Sequence, residues 1–205
     1  MKKLFALSWI AFALLVFFGS MPASAIKVGE PAPAFTATDH AGKTHTLADL
    51  KGKFVVLEWH NQGCPYVGKH YESGNMQKLQ QEWTAKGVVW FTVVSSAPGQ
   101  QGHVTPAQSQ EYVRAQKAAP TAVLLDASGE IGRKYDARTS PQMIVINREG
   151  IVVYNGAIDD KPTTDTADVA GATNYVSAAL SDAMANRPVA TPTTQPYGCA
   201  VKYQR

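Results

Sequence analysis

The sequence predicts one α/β domain, a central mixed β-sheet with helices on both faces and an N-terminal β-hairpin, and three observations carry that reading. The apolar run Phe54-Val55-Val56-Leu57-Glu58-Trp59 lies between Gly52-Lys53 and Asn61-Gln62-Gly63, as a buried strand ending in a tight turn would. Pro65 then opens an amphipathic stretch, and residues 88–94 follow as a second apolar strand. Strand, helix and strand make a parallel βαβ unit with a right-handed crossover. Ile144-Val145-Ile146 and Ile151-Val152-Val153-Tyr154 flank Asn147-Arg148-Glu149-Gly150, the pattern of an antiparallel hairpin on a type I turn. Parallel and antiparallel pairs together make the sheet mixed.

The chain opens on Met1-Lys2-Lys3, an apolar run over residues 4–19 and the small-residue site Ala23-Ser24-Ala25. This is the pattern of a secretory signal peptide cleaved after Ala25. The run is short for a membrane span and Pro22 follows at once, so no stable membrane anchor is expected after cleavage. The protein is expected to be periplasmic or secreted. Its net charge of +3 includes Lys2 and Lys3 of the leader, so charge does not point to nucleic acid. About 180 residues remain, a comfortable size for one core. The expected divisions are a signal peptide over 1–25, one domain over 26–187 and a C-terminal tail over 188–205.

Within the domain, prolines 31 and 33 hold the first residues extended, and Asp39-His40-Ala41-Gly42 reads as a turn joining two short strands. Residues 69–86 carry Tyr71, Met76, Leu79 and Trp83 at helical spacing, interrupted at Ser73-Gly74-Asn75 and stopped by Gly87. Thr105-Pro106 starts a helix to about Ala118, residues 121–126 form a strand, and 129–135 a short helix. A last helix is expected over 169–187. The tail is rich in proline and threonine until Tyr197-Gly198-Cys199.

The chemistry centres on Cys64. Proline is favoured at the first helical position, so Cys64 is expected at the N-cap, where free backbone N–H groups and the helix dipole favour a thiolate. The only other cysteine is Cys199, and in an oxidising compartment the two can pair.

The corner from Val56-Leu57-Glu58-Trp59 through Cys64-Pro65-Tyr66-Val67 to Lys69-His70-Tyr71 resembles the active-site corner of the thioredoxin-like superfamily. More narrowly it is similar to secreted redoxin-domain proteins of the alkyl hydroperoxide reductase and thiol-specific antioxidant (peroxiredoxin-like) type. The resemblance covers almost all of the mature chain and implies a thioredoxin-like fold with Cys64 as nucleophile. It implies that Pro141, in Thr139-Ser140-Pro141-Gln142, is the cis-proline beside the reactive cysteine, where the preceding backbone is free to pair with an extended substrate. Ser140, Trp59, Pro65 and Tyr66 would shape the same groove. The chain also departs from the family's patterns. Val67 stands where a thioredoxin-type dithiol needs cysteine. Asn61 and Pro141 stand where a peroxiredoxin has threonine and arginine, and Arg138 reads as a surface residue.

A thiolate that attacks a peroxide or a disulfide needs a second thiol to finish the cycle, and Cys199 is the candidate resolving partner. The competing account is a permanent Cys64–Cys199 staple, worth up to roughly 5 kcal/mol in the chain-entropy model. The function expected is an exported thiol oxidoreductase, acting by peroxide reduction or by thiol-disulfide exchange. The alternative is a non-catalytic binding module of the same fold. The partners implied are a thiol electron donor and a peroxide or disulfide substrate. Glu58 and His70 are candidates for proton transfer, against the plainer readings of a sheet-edge charge and a solvated helix face shared with Lys69. His40, His45, His60, His70 and His103 show no metal-ligand spacing, Asp159-Asp160 reads as a turn, and no phosphate-binding glycine pattern occurs. No metal or cofactor is expected.

Overall fold

The computed structural model describes residues 26–204. The expected signal peptide lies outside the described residues.

Among the described residues nine strands, five α-helices and two 3-10 segments follow one another. The hairpin β1 (Thr36–Thr38) and β2 (Thr44–Thr46) is closed by Asp39, whose carboxylate accepts from the Ala41 and Lys43 N–H groups and bonds the His45 ring. A single-turn 3-10 helix over Leu47–Leu50 leads to β3 (Val55–Trp59). Then come α1 (Pro65–Glu72), α2 (Asn75–Ala85), β4 (Val89–Val94), α3 (Pro106–Ala115), β5 (Ala122–Leu125) and α4 (Glu130–Lys134). The chain ends through β6 (Thr139–Ser140), β7 (Gln142–Ile146), β8 (Val152–Gly156), α5 (Tyr175–Met184) and β9 (Cys199–Ala200).

Five strands make the main sheet in the order β5-β4-β3-β7-β8. β3 runs parallel to β4 and antiparallel to β7, so the sheet is mixed and β3 is its centre. Its outer strands are met by irregular chain, Asp39 bridging to Leu124 of β5 and Thr193 to Asn155 of β8.

Side chains alternate across a strand, so β3 sends Val56 and Glu58 to one face and Val55, Leu57 and Trp59 to the other. On the first face Val56, Val145 and Trp90 pack with Val67, Tyr71, Leu79 and Trp83 of α1 and α2 and with Leu180 of α5. On the second, Leu57, Phe91 and Ile144 pack with Phe35 and with Ile131 and Tyr135 at α4. Each such aliphatic side chain gains about 1.5–3 kcal/mol on leaving water.

The break expected at Ser73-Gly74 divides α1 from α2, with Gly74 in the left-handed region at φ 74°. The capping box between Thr105 and Gln108 starts α3, as its sequence suggests. The last helix differs from expectation. Residues 166–171 form a separate 3-10 segment, and α5 begins only at Tyr175, where the Asn174 side chain accepts from the Ser177 N–H. An N-cap this strong starts a new helix in place of continuing one.

Candidate active site

Cys64 is the N-cap of α1 and Pro65 its first residue, because the Asn61-Gln62-Gly63 turn brings the chain off β3 at that point. Asn61 builds the turn: its Oδ1 accepts from the Gly63 N–H at 2.9 Å and its amide donates to Gln101 Oε1 at 3.1 Å. Cys64 is only 1 % exposed. Its side chain makes no bond to the helix's own N–H groups; its Sγ donates to the Ser140 carbonyl at 3.0 Å. The Ser140–Pro141 peptide is cis.

The tail supplies the third component. β9 pairs antiparallel with β6, with Cys199 opposite Ser140 and Ala200 opposite Thr139. Ser140 therefore touches both cysteines, through its carbonyl on one side and the ladder on the other. Both cysteines are free, and Cys199 is half-buried. Burial, then the neighbouring Cys64 thiol, push the Cys199 thiol up to about 11.

Two residues upstream of Cys199, Tyr197 enters a buried polar cluster beneath α1. Its hydroxyl donates to Asp159 Oδ1. Lys69 Nζ lies 3.3 Å from Asp159 Oδ2 and donates to the Lys161 carbonyl at 2.6 Å. The Asn75 amide donates to His70 Nδ1 at 2.8 Å, which leaves the ring proton on Nε2 to be donated to the Tyr197 hydroxyl at 3.2 Å. The tail's aromatic ring also packs on Tyr66, with centroids 5.8 Å apart.

Several expectations need correction here. Lys69 and His70 do not lie on a solvated helix face: both are buried, because α1 packs over the segment after β8 where Asp159 offers a counter-charge. Asp159 is buried with them, so it is more than a turn residue. Trp59 does not border the groove. It is wholly buried on the opposite sheet face against Tyr135, its indole N–H bonded to Ser95. Glu58 is not at a sheet edge, since β3 is central. Its carboxylate accepts from Tyr71, Gln80, Trp90 and Thr92, at 2.7 to 3.1 Å. Pro65 is exposed, Tyr66 half-buried and Ser140 buried, all around Cys64. Arg138 is exposed and pairs with Asp136. Asp159, Tyr197 and Gly198 were the residues sequence reasoning gave no site role. Their only signal was the Tyr-Gly-Cys run in the tail.

The burial of His70 has a measurable consequence. Burial is the largest cause, Lys69 reinforces it and Asp159 opposes it, and together they push the imidazole down to about 4 from an ordinary 6.5. Between those values the unfolded chain binds a proton that the folded chain does not. The contribution is complete above pH 6.5 and is lost as pH falls toward 4, by about 3 kcal/mol. Urea unfolding across that window should show the loss in the native protein and a flatter profile in His70→Gln.

Comparisons with known proteins bear on this corner. The model of the AhpC/TSA family matches residues 28–155. The thiol-disulfide oxidoreductase ResA of Bacillus thuringiensis is 28% identical over 128 residues, which are 62% of this chain and 68% of that protein. Among solved structures, a hypothetical protein of Sinorhizobium meliloti 1021 has a TM-score of 0.74 at 22% identity, covering 88% of this chain and 97% of that one. The thioredoxin domain of a thiol-disulfide oxidoreductase from Bacteroides vulgatus gives 0.50 at 23% identity, over 64% and 89%. These structural likenesses make the fold thioredoxin-like.

Proposed function

The chain belongs to the AhpC/TSA family, and from that premise we propose that it is an exported thiol-dependent oxidoreductase in which Cys64 attacks the oxidant and Cys199 resolves the product. The observation that carries this reading is the delivery of Cys199 to Cys64 by the β6–β9 pairing. Cys64, the N-cap residue of α1, takes the first attack, and Cys199, whose thiol is raised by burial, takes the resolving step. The similarity to a thiol-disulfide oxidoreductase supports the same class of chemistry.

With a hydroperoxide, the Cys64 sulfur attacks the terminal oxygen and the O–O bond breaks. The alcohol or water departs and Cys64 becomes a sulfenic acid. Cys199 then attacks that sulfur, the S–O bond breaks, water leaves, and a Cys64–Cys199 disulfide forms. With a disulfide, Cys64 forms a mixed disulfide as one substrate thiol leaves, and Cys199 displaces the other. Both routes end in the same internal disulfide, which an external thiol donor reduces. Ser140 holds the sulfur through its carbonyl, Pro141 follows it, and Pro65 and Tyr66 open α1 beside Cys64. The leader-like pattern over residues 1–25 supports a periplasmic or secreted site of action, where such a disulfide persists.

The test is the reduction potential of the Cys64–Cys199 couple, by mass-resolved thiol trapping across glutathione buffers. A value above about −300 mV is the expected result for a working pair. A disulfide that resists every buffer overturns this reading in favour of a structural staple on a binding module.

A further inference from the structure

Residues 138–140, just before Pro141, form a strand edge beside the Cys64 sulfur. In this protein that edge is taken. Cys199 lies opposite Ser140, Ala200 opposite Thr139, and the Val201 N–H donates to the Arg138 carbonyl at 2.9 Å. Gly198 lets the tail come this close. Its φ of +145° suits glycine alone, and a Cβ there would fall 2.1 Å from the Ser140 oxygen. On either side the strand is secured. Tyr197 is clasped by Asp159 and His70, and beyond β9 the Ala97 N–H donates to the Lys202 carbonyl at 2.8 Å and the Tyr203 hydroxyl to the Ala137 carbonyl at 2.7 Å.

We infer that residues 197–201 are the specificity element of the Cys64 site: they occupy the pairing edge with the chain's own strand and so restrict Cys64 to small, non-polypeptide oxidants. This rests on the reading of Cys64 as nucleophile. Recognition of a peptide by strand addition needs free main-chain donors and acceptors on the receiving edge. Here the Arg138 carbonyl accepts from the Val201 N–H, and Thr139 and Ser140 are paired with Ala200 and Cys199 of the tail. A hydroperoxide or a low-molecular-weight disulfide needs no such edge, only a local opening at the Cys64 sulfur, which is 1 % exposed with the tail in place. The tail thus acts as an internal substitute for a polypeptide substrate, and it carries the resolving thiol at the position such a substrate's sulfur would take.

The experiment uses the full mature chain with Cys199→Ser, so that Cys64 is its sole thiol. Two probes carry the same leaving group: cysteamine and an eight-residue cysteine peptide, each activated as its 2-thiopyridyl disulfide. In each reaction the Cys64 sulfur displaces pyridine-2-thiol, the probe's S–S bond breaks, and a mixed disulfide forms, so mass and absorbance report the rate. Urea-unfolded protein gives the intrinsic ratio of the two rates. The folded protein is expected to favour cysteamine over the peptide by about tenfold or more beyond that ratio. Gly198→Ala, which drives the tail off Ser140, should raise the peptide rate far more than the cysteamine rate and so bring the ratio close to the unfolded one. Val201→Pro, which removes the bond to Arg138, is an independent route to the same release, and amide exchange at residues 199 and 200 reports it. A folded protein whose ratio equals the unfolded one overturns the inference. So does a ratio that stays high in variants whose β9 amides have become exchangeable. Neither result depends on the potential of the Cys64–Cys199 couple, so failure here and failure of the redox reading are separate outcomes.

Discussion

Cys64→Ser is expected to lower turnover of the oxidant by a thiol donor by roughly a thousandfold or more, the scale seen when a nucleophile is removed from a covalent mechanism. A serine hydroxyl does not ionise near neutral pH and forms no disulfide, so neither route through Cys64 remains. Stability should change far less. The serine Oγ can still donate to the Ser140 carbonyl that now receives the Cys64 Sγ, and the substitution should cost under about 2 kcal/mol. Cys199→Ser should behave differently. It leaves the first attack intact and removes the resolving step, so one equivalent of oxidant is consumed per chain and turnover stops. Stopped-flow consumption of hydroperoxide and of a small disulfide, with both variants side by side, makes this check. Full turnover in Cys64→Ser would remove Cys64 from the nucleophile's role.

Asp159→Ala is expected to destabilise the protein by about 3–5 kcal/mol, because it leaves a buried ammonium without its counter-charge. Lys69 would keep only the Lys161 carbonyl and the Tyr197 hydroxyl. For a chain of this size the midpoint of thermal unfolding should fall on the order of 10 °C. Asp159→Asn keeps an acceptor for Tyr197 and should cost less. The same substitution loosens the clasp on Tyr197, so amide protection in β9 should fall further than in the main sheet. Calorimetry with hydrogen exchange reads both effects. A midpoint unchanged in Asp159→Ala would mean that Lys69 finds another counter-charge.

Most of the fold is legible in the sequence because its determinants are local. The apolar run before Asn61, the Pro65 helix start, the Ser73-Gly74 break and the Thr105 cap all act within a few residues of themselves. The place of Cys64 at a helix start is legible for the same reason, whereas Pro141 stands out only through the family resemblance, since locally it reads as a strand-start proline. The burial of Lys69 is not legible because a charged residue in the last turn of a short helix carries no local sign of it. Its partner is 90 residues away, on a segment that reads as a turn. Glu58 was ambiguous on the same ground: its four donors come from α1, α2 and β4, and only the closed sheet assembles them. The resemblance places Trp59 both as a packing wall and at the groove, and only the packing role holds. The alternation along β3 sends it to the far face. The final helix was overextended because Asn174, a strong cap, sits inside an otherwise helix-favouring run.

The two outermost strands of the sheet raise a matter of solubility. An open strand edge invites pairing with a second molecule, and proteins commonly blunt such edges. Here β5 is shielded by the chain at Asp39 and His40, and β8 by residues 192–194, where the Asn155 N–H donates to the Pro192 carbonyl and the Thr194 N–H to the Asn155 carbonyl. The segment that guards β8 is the same tail that goes on to carry Cys199. Self-association and sulfur chemistry are therefore tied to one stretch of polypeptide. A lesion that strips the tail would bare an adhesive ladder at the moment it removed the second thiol.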